Sequence, residues 1–137
     1  ELLEDHPDGT PNARQIASPG VADYLRALEA LAQKDEKLAA TYLRQALDHN
    51  PGNTFAGDQL VRLYYNSRQY GPVSEIYRHF GVTPFKSSAE TLAQITVSLS
   101  QTGDTATAKE VLQTAREYLP QDPLILAAAR SLERGGR

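Results

Sequence analysis

Small and apolar residues return along this chain at a nearly fixed interval, and that interval constrains the fold more than any other feature. Ala39, Val73 and Ala108 lie 34 and 35 residues apart, and Leu43, Tyr77 and Leu112 repeat the same spacing. Ala46, Phe80 and Ala115 do so again, while Pro51, Pro84 and Pro120 follow at 33 and 36. Four slots that share one period define a repeated structural unit. Within the units, apolar residues recur at threes and fours, as in Leu25, Leu28, Leu31 and Ala32, then Leu38, Tyr42, Leu43, Ala46 and Leu47. That is the spacing of amphipathic helices, and no stretch alternates with period two, so no strand is expected. Lys34-Asp35, Pro51-Gly52-Asn53, Tyr70-Gly71-Pro72, Gly81, Gly103-Asp104 and Asp122-Pro123 cut the pattern into short helices. Ser18-Pro19 reads as a cap followed by proline at the first helical position, and Ser87 with Glu90 as a capping box. Asp104 and Asp122 read as further caps.

One hairpin of two such helices cannot bury its own apolar face, so neighbouring units must stack into a continuous core. The middle unit reads Leu60-Val61, Tyr64, Val73, Tyr77 and Pro84. The third reads Leu92, Ile95-Thr96, Leu99, Gly103-Asp104, Ala108, Leu112, Ala115 and Pro120. In the first unit the second helix matches through Ala39, Leu43, Ala46 and Pro51, and the first helix fits after a one-residue shift. This set resembles the tetratricopeptide repeat (TPR) family over about residues 20–134. Val61 and Thr96 fill a slot the family usually gives to glycine or alanine, and Phe80 replaces a small residue. The resemblance implies an all-α, right-handed α-solenoid of about three TPR-like helical hairpins, over about 20–51, 53–84 and 87–120. A C-terminal helix over about 123–134 either caps the third unit or opens a fourth. The repeat domain then covers 18–137, preceded by an acidic, irregular leader or linker over 1–17.

Composition removes several function classes. The 137 residues include no cysteine, which excludes disulfides, thiolate metal sites and a cysteine nucleophile. Methionine is absent even at residue 1, which points to a processed or trimmed end and a longer parent chain. Residues 1–20 carry a net charge of −3, whereas 21–137 hold 13 basic and 13 acidic side chains. Without a basic stripe, and with a pI near 5.6, a nucleic-acid partner is not expected. The longest apolar run, Leu124 to Ala129, has six residues where a membrane span needs about 20, so no membrane insertion is expected. The alanine- and glutamine-rich, cysteine-free style fits a bacterial protein and suits cytoplasm and periplasm equally.

Catalytic chemistry finds no footing. His6, His49 and His79 are isolated, and no HExxH, GxSxG, GxxxxGK[ST] or GxGxxG sequence occurs. No enzyme, cofactor or metal is therefore expected. The informative residues lie on the first helix of each hairpin. Over 54–67, Leu60, Val61 and Tyr64 belong to the packed face, while Phe55, Asp58, Arg62, Tyr65 and Asn66 share another. The TPR resemblance implies that this second face lines a concave groove that holds an extended peptide or a partner helix. In the third unit the same face gives Glu90, Ala93, Val97 and Gln101, and Tyr24 and Leu28 complete it from the first. Aromatic and arginine content is what an interface centre requires, although Phe55 and Tyr65 could equally serve as packing against the first hairpin. Co-chaperones of this family grip an acidic C-terminal carboxylate with basic and amide side chains. The corresponding slots here read Tyr24, Leu28, Gln59, Glu90 and Gln94, none of them basic, so that subtype is not expected. The expected function is a non-catalytic protein–protein interaction scaffold with a protein or peptide partner, self-association being compatible with it. The alternative is a regulatory or spacer domain acting on a neighbouring domain of a larger enzyme or secretion protein.

Overall fold

The computed structural model describes residues 19–86 and 88–135. Among these residues every regular element is a helix: α1 Pro19–Ala32, α2 Glu36–His49, α3 Thr54–Asn66, α4 Tyr70–Phe80, α5 Ala89–Gln101, α6 Thr105–Tyr118 and α7 Pro123–Gly135. Each of α1, α3 and α5 pairs with the helix that follows it, and each second helix also packs on the next first helix. The first helices pack on one another as well, α3 on α5 and α5 on α7. Contacts confined to neighbouring units define an α-solenoid. None of these helices is long and apolar enough to cross a membrane.

Helix starts are set by side chains that take up free backbone N–H groups. Asp35, Asn53 and Asp104 accept from Leu38, Ala56 and Thr107 at 3.1–3.2 Å. Before α5 the cap is Ser88, which accepts from the Thr91 N–H at 3.2 Å, one residue later than the Ser87 capping box expected from sequence. Ser87 itself, like Ser18 and the 1–17 leader, lies outside the described residues.

The three turns inside the hairpins share one geometry built from different residues. Lys34, Arg68 and Gly103 are spaced by 34 and 35 and have positive φ values of 63°, 59° and 87°. The next N–H in each case, from Asp35, Gln69 and Asp104, donates to the carbonyl of Ala30, Tyr64 and Leu99 at 2.8–2.9 Å. This six-to-one bond closes a Schellman turn. Only Gly103 adopts that conformation without the Cβ penalty of roughly 1–2 kcal/mol. That Lys34 and Arg68 adopt it too shows that packing of the flanking helices dictates the turn.

The core corrects the sequence reading of the first unit. No register shift is needed: Ala27, Val61 and Thr96 fall 34 and 35 apart and are all buried. Ala30, Tyr64 and Leu99 form the next equivalent slot, and Asp23, Gly57 and Leu92 the preceding one. The packed stripe of α1 is therefore Asp23, Ala27 and Ala30, and Leu25, taken above as core periodicity, is 53% exposed. Buried Asp23 is partnered by His49 Nδ1 at 2.9 Å and by Arg26 at 3.5 Å. Small residues at Ala27, Ala30, Ala39 and Ala46 let α1 and α2 make the most extensive helix contact in the fold. Ala108 is equally buried in α6. Ala108→Leu is accordingly expected to overpack the third hairpin and cost about 1–3 kcal/mol, read as a lower urea midpoint; an unchanged midpoint would contradict the register.

The second unit departs from its neighbours at its exit. Helix α4 ends at Gly81 (φ 72°), and the connection to α5 turns back on the molecule. In strict register, the slot of Pro51 and Pro120 belongs to Phe85, at spacings of 34 and 35, and not to Pro84. Pro51 and Pro120 are exposed, whereas Phe85 is the largest fully buried side chain among the described residues. It fits because α3 carries glycine opposite. A Cβ on Gly57 would stand 2.6 Å from the Pro84 carbonyl oxygen and 3.2 Å from Phe85 Cδ1. The oversized Phe80 finds its own partner in Arg44, whose guanidinium lies 5.2 Å from the ring centroid.

Candidate functional site

The first helices carry their exposed residues in repeated rows. Val21, Phe55 and Glu90 share one slot, at spacings of 34 and 35, and Leu28, Arg62 and Val97 share another. Between them fall Tyr24, Asp58 and Ala93. Because these rows lie opposite the buried stripes, helix packing alone turns them to one continuous face. Gly57 and Phe85 fix α3 within that face, since the Phe85 ring is wedged under the turn that presents Phe55 and Asp58.

Phe55 is 71% exposed and so does not pack on the first hairpin. One turn on, Asp58 is half-buried and accepts a hydrogen bond from Thr91 Oγ1 of α5 at 2.9 Å. Arg62, a turn further, pairs with Glu90 of α5 at 3.2 Å. These two contacts stitch α3 to α5 and make the middle of the face polar. Burial raises the Asp58 carboxyl above the usual carboxylate range, against the lowering effects of the Thr91 bond and the Arg62 charge. A raised carboxyl favours the fold in its protonated form, so its ionisation costs stability once the pH exceeds the ordinary carboxylate value. Asp58→Asn is expected to raise the melting temperature at about pH 7 and to lose that advantage near about pH 3. Equal gains at both pH values would contradict the assigned ionisation cost.

The other residues singled out from sequence do not converge on one place. Tyr65 is half-buried and meets Tyr70 of α4 edge-on, with ring centroids 5.7 Å apart, so it packs within its own hairpin. Burial and the neighbouring Tyr70 push its hydroxyl pKa up. Asn66 is exposed at the end of α3. Val97 and Gln101 border a small crevice of about 40 Å³ between α5 and α7. Tyr24 is half-buried against the core. Sequence reasoning put Leu28 on this face but missed that it continues an apolar stripe on α1: Val21 (47% exposed), Leu25 and Leu28 (37% exposed) follow one another at steps of four and three. Counting back 34 residues from Val61 and Tyr64 would have put Ala27 and Ala30 in the core and released these side chains to solvent.

Among the described residues no group of three or more histidine, aspartate or glutamate side chains converges on a point. His49 is committed to Asp23, and His79 meets the Phe80 ring edge-on with centroids 4.6 Å apart. His6 lies outside the described residues.

Comparison with solved structures agrees with this architecture. The chain is similar to the first TPR domain of Spaghetti (RPAP3), a structure bound to an HSP90 peptide of sequence SRMEEVD. The TM-score is 0.63 at 11% sequence identity, covering 85% of this chain and 91% of that one. The fold is that of the tetratricopeptide repeat, and at this identity the likeness extends to the fold alone. No protein-family model matches the sequence, and no curated protein does.

Proposed function

We propose that this chain is a non-catalytic protein-interaction scaffold whose first-helix face forms a concave groove for an extended peptide or a partner helix. The observation that carries the reading is Phe55, a phenylalanine 71% exposed in the repeat slot that exposed Val21 fills on α1. A large aromatic left in water at a repeat slot that neither the core nor a turn requires is the residue type that anchors interfaces. Val21 and Leu28 extend the apolar end of the groove, and the Arg62–Glu90 and Asp58–Thr91 pairs supply polar recognition at its middle. The TPR domain to which the chain is similar is itself bound to a peptide, which supports the general mode. The ligand differs in kind. At the slots Tyr24, Leu28, Gln59, Glu90 and Gln94 an acidic peptide ending in a free carboxylate meets one acid and no cation, and Arg62 on the neighbouring row is already paired with Glu90. The groove favours a segment with apolar or aromatic side chains at its anchoring positions, and the balanced charge of residues 21–137 gives nucleic acid no basic track.

Selection of peptides from a random display library on the intact chain tests this directly. Phe55→Ala is expected to weaken the selected peptides about 30-fold, since anchors of this type cost roughly 2 kcal/mol or more when truncated. The variant should keep its helical circular dichroism, because an exposed side chain contributes little to stability. Tyr65 is left in place, its ring being part of the hairpin. Undiminished binding by folded Phe55→Ala would move the interface off this face.

A further inference from the structure

Granted the groove proposed above, on which this reading depends, we propose that the junction between α1 and α3 is its anchor pocket. One bulky apolar side chain of the ligand enters there, between Leu28 and Phe55, and a charged one is rejected. The next junction along the groove shows what is different about this one. Asp58 and Arg62 of α3 reach forward to Thr91 and Glu90 of α5, and these two polar contacts bridge the space between the helices. One unit earlier, at spacings of 34 and 35, the positions of Asp58 and Thr91 are held by Tyr24 and Ala56. Those of Arg62 and Glu90 are held by Leu28 and Phe55. None of these four is a charged residue, so neither polar bridge can form between α1 and α3.

The helices follow their side chains. α3 packs on α5 and α5 on α7, whereas among the described residues α1 and α3 make no comparable contact. α2 still packs on α3, so the first two units stay joined behind the opening. Both walls belong to helices of this chain and lie between two of its own units. A further repeat at either end would therefore not fill the gap.

The walls set the chemistry of the occupant. Tyr24 and Ala56 are drawn into the core, but Phe55 stays 71% exposed and Leu28 37%, so the two do not cover each other. Val97, which holds the slot of Leu28 on α5, is half-buried where α5 packs on α7. An apolar side chain between Leu28 and Phe55 would take its own surface and theirs out of water together. A charged side chain there would lose hydration and gain no partner, because Arg62 is held by Glu90 and Asp58 by Thr91. The ligand is thus anchored at one apolar position over the first junction and passes the second along a surface whose polar groups are already paired.

The probe is a peptide from the display selection, labelled and titrated against the intact chain by fluorescence anisotropy. Its alanine scan is expected to show one aliphatic or aromatic position worth about 30-fold or more in affinity, and glutamate at that position should bind no better than alanine. Leu28→Ala should weaken the parent peptide about tenfold and barely affect the peptide already truncated at its anchor, the non-additivity of groups in contact. Val97→Ala, at a closed junction, should cost less than Leu28→Ala. Leu28→Arg/Phe55→Glu copies the Arg62–Glu90 pair onto the first junction and should abolish binding with the helical circular dichroism retained, both side chains being exposed. Additive losses from Leu28→Ala and the anchor truncation, or a larger loss from Val97→Ala, overturn the anchor pocket and leave the groove standing. Unchanged affinity in both Leu28→Ala and Phe55→Ala overturns pocket and groove together, as does a library that yields no binder. Dimers of the free chain that dissociate in Phe55→Ala also overturn the pocket as a ligand site, since a second copy would then be the occupant.

Discussion

Phe85→Ala is expected to lower the stability of this protein by about 3–5 kcal/mol, the usual cost of emptying a fully enclosed phenylalanine site. The residue lies in a connection and not in a helix, where substitutions are ordinarily tolerated. Its burial makes the difference: the ring is inaccessible, faces Tyr77 with centroids 6.5 Å apart, and rests against α3 at Gly57. Chemical denaturation followed by circular dichroism measures the effect. A shift under about 1 kcal/mol would mean that the loop detaches cheaply and does not position α3.

Gly57→Ala is the complementary experiment. The added methyl would stand 2.6 Å from the Pro84 carbonyl oxygen and 2.9 Å from Pro84 Cβ, distances that a methyl against a backbone oxygen and a rigid proline ring cannot accept without moving. The expected loss is about 2–3 kcal/mol, the upper range for overpacking, even though alanine is intrinsically the better helix former. Strain of this origin must be coupled to the loop. In the Phe85→Ala background the same substitution should cost less, because the loop is then free to withdraw from α3. Strict additivity of the two losses would show that the residues do not share one packing unit.

How far the fold was legible depended on which residues carried the repeat. Ala39, Val73 and Ala108 gave the 34 and 35 spacing directly, because all three are buried in the same slot of the second helix. The turns were legible at Lys34-Asp35 and Gly103-Asp104 but not at Arg68, where tertiary packing holds a non-glycine residue at positive φ. The first helix was misread because α1 exposes Val21, Leu25 and Leu28 and buries alanines, the reverse of what hydrophobicity alone suggests. The prolines misled by one residue: their 33 and 36 spacing concealed that Phe85, and not Pro84, sits in register. Of the groove residues, the α3 row from Phe55 to Arg62 followed from helical spacing. The link from Tyr65 to Tyr70 did not, since it depends on how α4 leans against α3.

The central claim is that ligands meet the first helices and not the second. Backbone amide chemical-shift mapping tests it most directly, using the isotope-labelled chain titrated with a peptide selected on it. The predicted perturbations run along α1, α3 and α5, centred on Leu28, Phe55 and Val97, and are lost in Phe55→Ala. Perturbations confined to α2, α4 and the exposed side of α6, with the first helices silent, would contradict the account.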